Sequence, residues 1–162
     1  MEPHQSVERF KRLRRNLQRQ IQWSRNVFLV LLVVSVVNLV LLWAKVDYHF
    51  LFSVSLPYYL NWMAIRMGRL RVLAVLVAVA VLALGGGCWY FFRNRRWLEI
   101  AIGFYVVDTL ALAVMALTLL ENPLSCLLEV LTHCLALMLI FPARKAALRL
   151  ENLNRHMEEK QV

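Results

Sequence analysis

Long apolar runs alternate with short polar stretches along this chain. Four runs, at residues 27–43, 72–92, 98–120 and 124–141, carry few or no charges. Crossing a hydrocarbon core about 30 Å thick takes roughly 17–25 helical residues, because lipid offers no partner to a free backbone group. The pattern therefore predicts four transmembrane helices. Ser35 and Asn38 interrupt the first run, and the second has no charge at all. The third carries Glu99 at its edge and Asp108 in its middle, and the fourth carries Glu129 and His133 before Pro142 stops it.

Helical spacing continues outside the four runs. Val7, Phe10, Leu13, Leu17 and Ile21 recur every three or four residues, with Arg9, Lys11, Arg12, Arg14, Arg15 and Arg19 filling the other faces. Ala146, Leu150, Leu153 and Met157 repeat the period after Pro142. The predicted fold is all-α, an integral membrane four-helix bundle flanked by cytoplasmic amphipathic helices at both ends. Its parts are a basic leader (1–26), a transmembrane domain (27–142) and a C-terminal helix (143–162), with an outer segment at 48–64.

Composition supports a membrane protein. Of 162 residues, 60% are apolar and the mean hydropathy is +0.57, above the roughly 45–50% apolar content of soluble domains. This length leaves no room for a separate soluble catalytic domain. Net charge is +9, and its distribution sets the orientation. With four crossings and the N-terminus inside, fifteen Lys and Arg lie inside and four outside (Lys45, Arg66, Arg69 and Arg71). A fifth crossing at 49–65 would erase that bias. Both ends are therefore expected on the cytoplasmic side. The segment around Pro57 is read as interfacial or re-entrant, with Tyr48, Tyr58, Tyr59 and Trp62 at headgroup level. No cleavage site follows the first run, so it is expected to stay as a signal anchor.

The candidate chemistry lies in the spans. Ionisable residues at mid-membrane are costly and face a bundle interior, a partner or a water path. Counted at about 1.5 Å per residue from the inner ends, Asn38, Asp108 and His133 lie roughly 16, 15 and 12 Å deep, on three helices. The Glu121, Asn122, Pro123 turn makes the third and fourth helices antiparallel neighbours. Cys126, Glu129 and His133 share one helix face, although Glu129 is close enough to the outer end to reach water. Asn38, Asp108, Glu129 and His133 thus form a candidate polar cluster. A hydrogen-bonded Asp108–His133 pair that fixes packing competes with proton or ion handling, a metal site and catalysis. A purely structural pair predicts that Asp108→Asn is tolerated.

Other features narrow the functions. No phosphate loop, nucleophile elbow or zinc-protease motif occurs, so no enzyme activity is expected. No cofactor or metal is implied: His4, His49 and His156 lie outside the spans, which disfavours bis-histidine haem. Cys88, Cys126 and Cys134 read as packing residues. Gly85, Gly86 and Gly87 suit close helix approach. Arg9, Lys11, Arg12, Arg14 and Arg15 suit anionic lipid, while a docking or dimerising helix remains an alternative and nucleic acid is disfavoured. The partners expected are the bilayer, its anionic lipids, and a second copy or another membrane protein.

The run FLFSVSLPYYL at 50–60, following a span with a mid-helix Asn38, resembles a group of small uncharacterised membrane proteins of Gram-positive bacteria. The likeness covers residues 27–62. It implies a bacterial membrane location and a Pro-Tyr-Tyr segment joined to the first span. The expected role is an accessory or structural subunit, the rival a small transporter or proton-coupled channel subunit using Asp108, Glu129 and His133.

Overall fold

The computed structural model describes residues 3–46, 48–68, 70–118 and 123–158. The Glu121–Asn122 turn, Arg69, residues 119–120 of the third expected span and the side chain of Cys126 lie outside the described residues. Six helices and no strand occur among the described residues: α1 (Pro3–Trp43), α2 (Leu56–Met67), α3 (Arg71–Tyr90), α4 (Arg95–Thr118), α5 (Pro123–Ile140) and α6 (Pro142–Glu158). Four stretches, Glu8–Trp43, Arg71–Tyr90, Arg95–Leu117 and Leu127–Arg155, are long and apolar enough to cross a membrane.

Helix α1 runs without a break through the basic leader and the first apolar run. It lies beside α3 and α5, and α4 closes the ring between those two. The end of the ring that carries the termini is filled by Phe28, Leu31, Phe92, Leu98, Ala101, Ile102, Ala136 and Ile140. There α6 folds back along the first part of α1, burying Leu17 and Ile21 against Ala143, Ala146 and Ala147. Pro142 ends α5 and opens α6, since its ring suits a first helical turn but cannot continue a helix.

Polarity is inverted relative to a water-soluble bundle. Asn38, Ser53, Ser55, Asp108, Glu129 and His133 are buried, while Val33, Val40, Leu76, Val79, Val107, Leu110, Leu131 and Met138 face outward. Such an apolar surface is stable against lipid and costly in water. Exposed Trp23 and Trp43 lie 20 residues apart on α1, or about 30 Å, the thickness of a hydrocarbon core.

The glycine run divides. A Cβ on Gly85 would lie 2.5 Å from Leu32 Cδ2, so this residue does permit close approach of α3 to α1. Gly86 and Gly87 meet nothing within 4 Å, and close packing does not account for them.

The segment between α1 and α3 enters the bundle. After α1 ends at Trp43, Lys45 takes the left-handed region (φ 59) and the chain turns back between the helices. Phe50 meets Asn38 and Val54 meets Ser35, one helical turn deeper on α1. Helix α2 then starts at the centre of the bundle and climbs outward to Gly68, whose positive φ (67) ends it. Helix α2 has 12 residues, about 18 Å, too short to cross. It pairs with α3 as an antiparallel hairpin, with Asn61 Nδ2 donating to the Ala74 carbonyl.

Candidate functional site: a polar core around a re-entrant segment

Backbone in irregular conformation at membrane depth needs partners for every N–H and C=O, and the spans supply them from side chains. Asn38 clamps Phe50 in both directions: its Nδ2 donates to the Phe50 carbonyl (2.8 Å) and its Oδ1 accepts the Phe50 N–H (2.8 Å). Ser35 Oγ accepts the Val54 N–H (2.7 Å) while donating to the Leu31 carbonyl (2.6 Å). Thr132 Oγ1 lies 3.2 Å from the Leu51 carbonyl and 2.7 Å from the Glu129 carbonyl, sharing its one hydrogen between them, and Tyr105 Oη donates to the Ser53 carbonyl.

Asp108 serves the start of α2. The Leu56 N–H donates to Oδ1 (2.8 Å) and the Ser55 N–H to Oδ2 (3.0 Å). A helix N-terminus leaves such N–H groups free and carries partial positive charge, so a carboxylate from another helix is a favourable cap. Pro57 brings no N–H, which removes one further donor from the buried end. Ser55, the N-cap, makes no side-chain cap bond of its own, and its hydroxyl turns elsewhere.

That hydroxyl donates to Glu129 Oε1 (2.9 Å), and Tyr59 Oη donates to Glu129 Oε2 (2.5 Å). Glu129 is 2% exposed, which corrects the expectation that it reaches water: two hydroxyls hold it inward. Tyr59 is 7% exposed, so it faces the bundle interior and not headgroups, whereas Tyr48 is exposed. Its phenol follows the carboxylate because a buried charge needs donors more than the interface needs a tyrosine.

His133 joins the two carboxylates. Nδ1 lies 2.9 Å from the Glu129 carbonyl, which can only accept, so Nδ1 carries hydrogen. Nε2 lies 3.1 Å from Asp108 Oδ2 and 3.2 Å from Ser55 Oγ. With Nδ1 protonated, a close Nε2–carboxylate contact also requires a proton between those atoms. Tyr105 stacks on the imidazole at 5.1 Å and 6°. Asp108 and Ser55 both approach Nε2, whereas a nucleophile relay needs the acid on one nitrogen and the hydroxyl on the other.

The four residues singled out from sequence therefore fall into two groups. Asp108, Glu129 and His133 meet at the start of α2, while Asn38 contacts neither Asp108 nor His133 directly and joins the core through Ser53 Oγ (3.0 Å). Ser35, Ser53, Ser55, Tyr59, Tyr105 and Thr132 were not singled out. The run Ser-Leu-Pro at 55–57 is the one local signal available, a helix start with proline in the first turn. His49, assigned to the outer segment, lies with Nε2 3.9 Å from Glu129 Oε2, its side chain 28% exposed and stacked on Tyr58. Among the described residues no group of three His, Cys, Asp or Glu is arranged to hold a metal ion. Cys88 is buried and Cys134 exposed, both as free thiols.

Comparison with protein-family models, curated proteins and solved structures found no match.

Proposed function

We propose that this is a multi-pass membrane protein of the bacterial inner membrane that acts as a non-enzymatic accessory or structural subunit. The observation that supports this reading is the use made of the buried polar groups. Asn38, Ser35, Thr132 and Asp108 satisfy the backbone of residues 50–56, and Glu129 and His133 are engaged by Ser55, Tyr59 and Asp108. A transport site needs groups free to exchange a ligand. Both termini are assigned to the cytoplasm, where the basic face of α1, with Arg9, Lys11, Arg12, Arg14 and Arg15, meets anionic lipid. Purification in mild detergent followed by mass spectrometry tests the assignment: a stoichiometric membrane-protein partner or a second copy is expected. Isolation as a monomer that conducts a substrate would overturn it.

One arrangement favours proton coupling as a second reading. His49, Glu129, Ser55, His133 and Asp108 form a polar file from a half-exposed imidazole to the bundle centre. Below Tyr105 the file meets Phe28, Leu31, Phe92 and Leu98, which offer a proton no carrier. Proteoliposomes holding a pH-sensitive dye distinguish the readings, since a structural subunit gives no proton flux above empty vesicles.

A further inference from the structure

At the end of the bundle carrying the termini, a cleft of about 500 Å³ opens between α1, the turn joining α3 to α4, and α6. Arg14, Arg15 and Arg19 of α1 line it on one side, Arg93 of the turn on another, and Asn154 of α6 on a third. Ile21 and Leu150 give it an apolar floor. Among the described residues no carboxylate lines the cleft. Some other arginines at this end are ion-paired: Arg95 with Glu99 and Glu151 at 3.1 and 3.0 Å, and Arg155 with Glu151 at 2.8 Å. Among the described residues Arg14, Arg19 and Arg93 have no ion-pair partner, and Arg15 meets only the Lys11 carbonyl, at 3.4 Å.

Four guanidinium groups around one concavity repel each other unless an anion sits among them. The fork of N–H donors on each is matched to phosphate oxygens, and the amides of Gln18, Gln22 and Asn154 add donors for remaining oxygens or hydroxyls. The cleft lies just beyond exposed Trp23 and Tyr90, aromatic residues at the interfacial level, which puts its mouth where phospholipid phosphates stand.

We propose that this cleft binds a phosphate-bearing anion, held by Arg14, Arg15, Arg19 and Arg93. The inference rests on the membrane reading and deepens the lipid contact of α1. It replaces a diffuse basic face with a defined site that also needs Arg93, almost 80 residues away in sequence.

The test uses the full-length protein in mild detergent. Native mass spectrometry measures retention of added phosphatidic acid or phosphatidylglycerol against phosphatidylcholine, and calorimetry measures inorganic pyrophosphate. Arg93→Gln and, separately, Arg19→Gln are expected to weaken binding roughly tenfold, as loss of a charge-assisted contact does. The pair Arg96→Gln with Lys145→Gln removes two exposed cations that do not line the cleft, and should change binding less than about twofold. Lipid binding with this pattern identifies a headgroup as the ligand; pyrophosphate binding with this pattern and no retained lipid identifies a soluble phosphate. Equal losses in the two sets, unchanged binding in Arg93→Gln and Arg19→Gln, or no binding of any phosphate ligand by the wild type overturns the proposal. Unchanged melting temperatures separate these results from misfolding, and a missing protein partner in co-purification leaves them untouched.

Discussion

A buried carboxylate is judged by what its two oxygens accept. Each oxygen of Asp108 takes a backbone N–H, and Oδ2 also meets His133. Asp108→Asn would turn an amide NH2 toward one of those N–H groups, so the substitution should lower stability by about 1–3 kcal/mol rather than be tolerated. Asp108→Leu should cost more, because two N–H groups and an imidazole then lose their partner. Unfolding in detergent, followed by tryptophan fluorescence, measures both. Tolerance of Asn would mean that the carboxylate cap is not needed. The glycines of α3 offer a second residue-level comparison. Gly85→Ala must displace Leu32 Cδ2 and should cost about 1–3 kcal/mol. Gly86→Ala and Gly87→Ala meet open space and should be neutral, or stabilising by up to about 1 kcal/mol through helix propensity.

At the scale of the element, α2 and its approach behave as one unit docked by side chains. Asn38 pairs with both backbone groups of Phe50, so Asn38→Ala leaves the N–H unpaired inside the bundle and the C=O with only the Ser53 hydroxyl, at 3.3 Å. The expected outcome is faster hydrogen–deuterium exchange in peptides covering 50–60, with α4 and α5 unchanged, because those helices bond their own backbone. Exchange that stays slow would show that Ser35, Thr132 and Asp108 suffice to hold the segment. Tyr59→Phe should loosen the same element from the other side, since Glu129 then keeps only the Ser55 hydroxyl among its short bonds.

For the whole molecule, the number of crossings decides where the ends lie. Helix α2 returns to the end of the bundle it came from, which leaves four helices long and apolar enough to cross, and on the proposed four-crossing topology both ends share one side. The excess of Lys and Arg on that side, fifteen against four, predicts that it is cytoplasmic. Reporter fusions at Arg95 and after Lys160 should read cytoplasmic and one at Asn122 external. An external signal after Lys160 would break the count.

Hydrophobic period and length determined the spans, because lipid imposes the same requirement on any crossing helix whatever its neighbours. Helix α3 covers Arg71–Tyr90 where 72–92 was expected, whereas α1 is one helix from Pro3 to Trp43 where the run at 27–43 was read apart from the leader. That Asp108 and His133 face inward was legible too, since a lone carboxylate against lipid has no partner. The contents of the outer segment were not. Ser53 and Ser55 look like ordinary polar loop residues in sequence, and Tyr59 like an interfacial tyrosine. Whether they face headgroups or a buried carboxylate depends on residues of α4 and α5 some 50 to 75 positions away. The arginine cleft likewise joins α1 to the α3–α4 turn across a distance no local pattern records. Sequence alone showed which segments are long and apolar enough to cross a membrane, a question of transfer from water. Tertiary structure decided which polar groups meet there, because a buried hydrogen bond is set by the position of its partner and not by its own polarity.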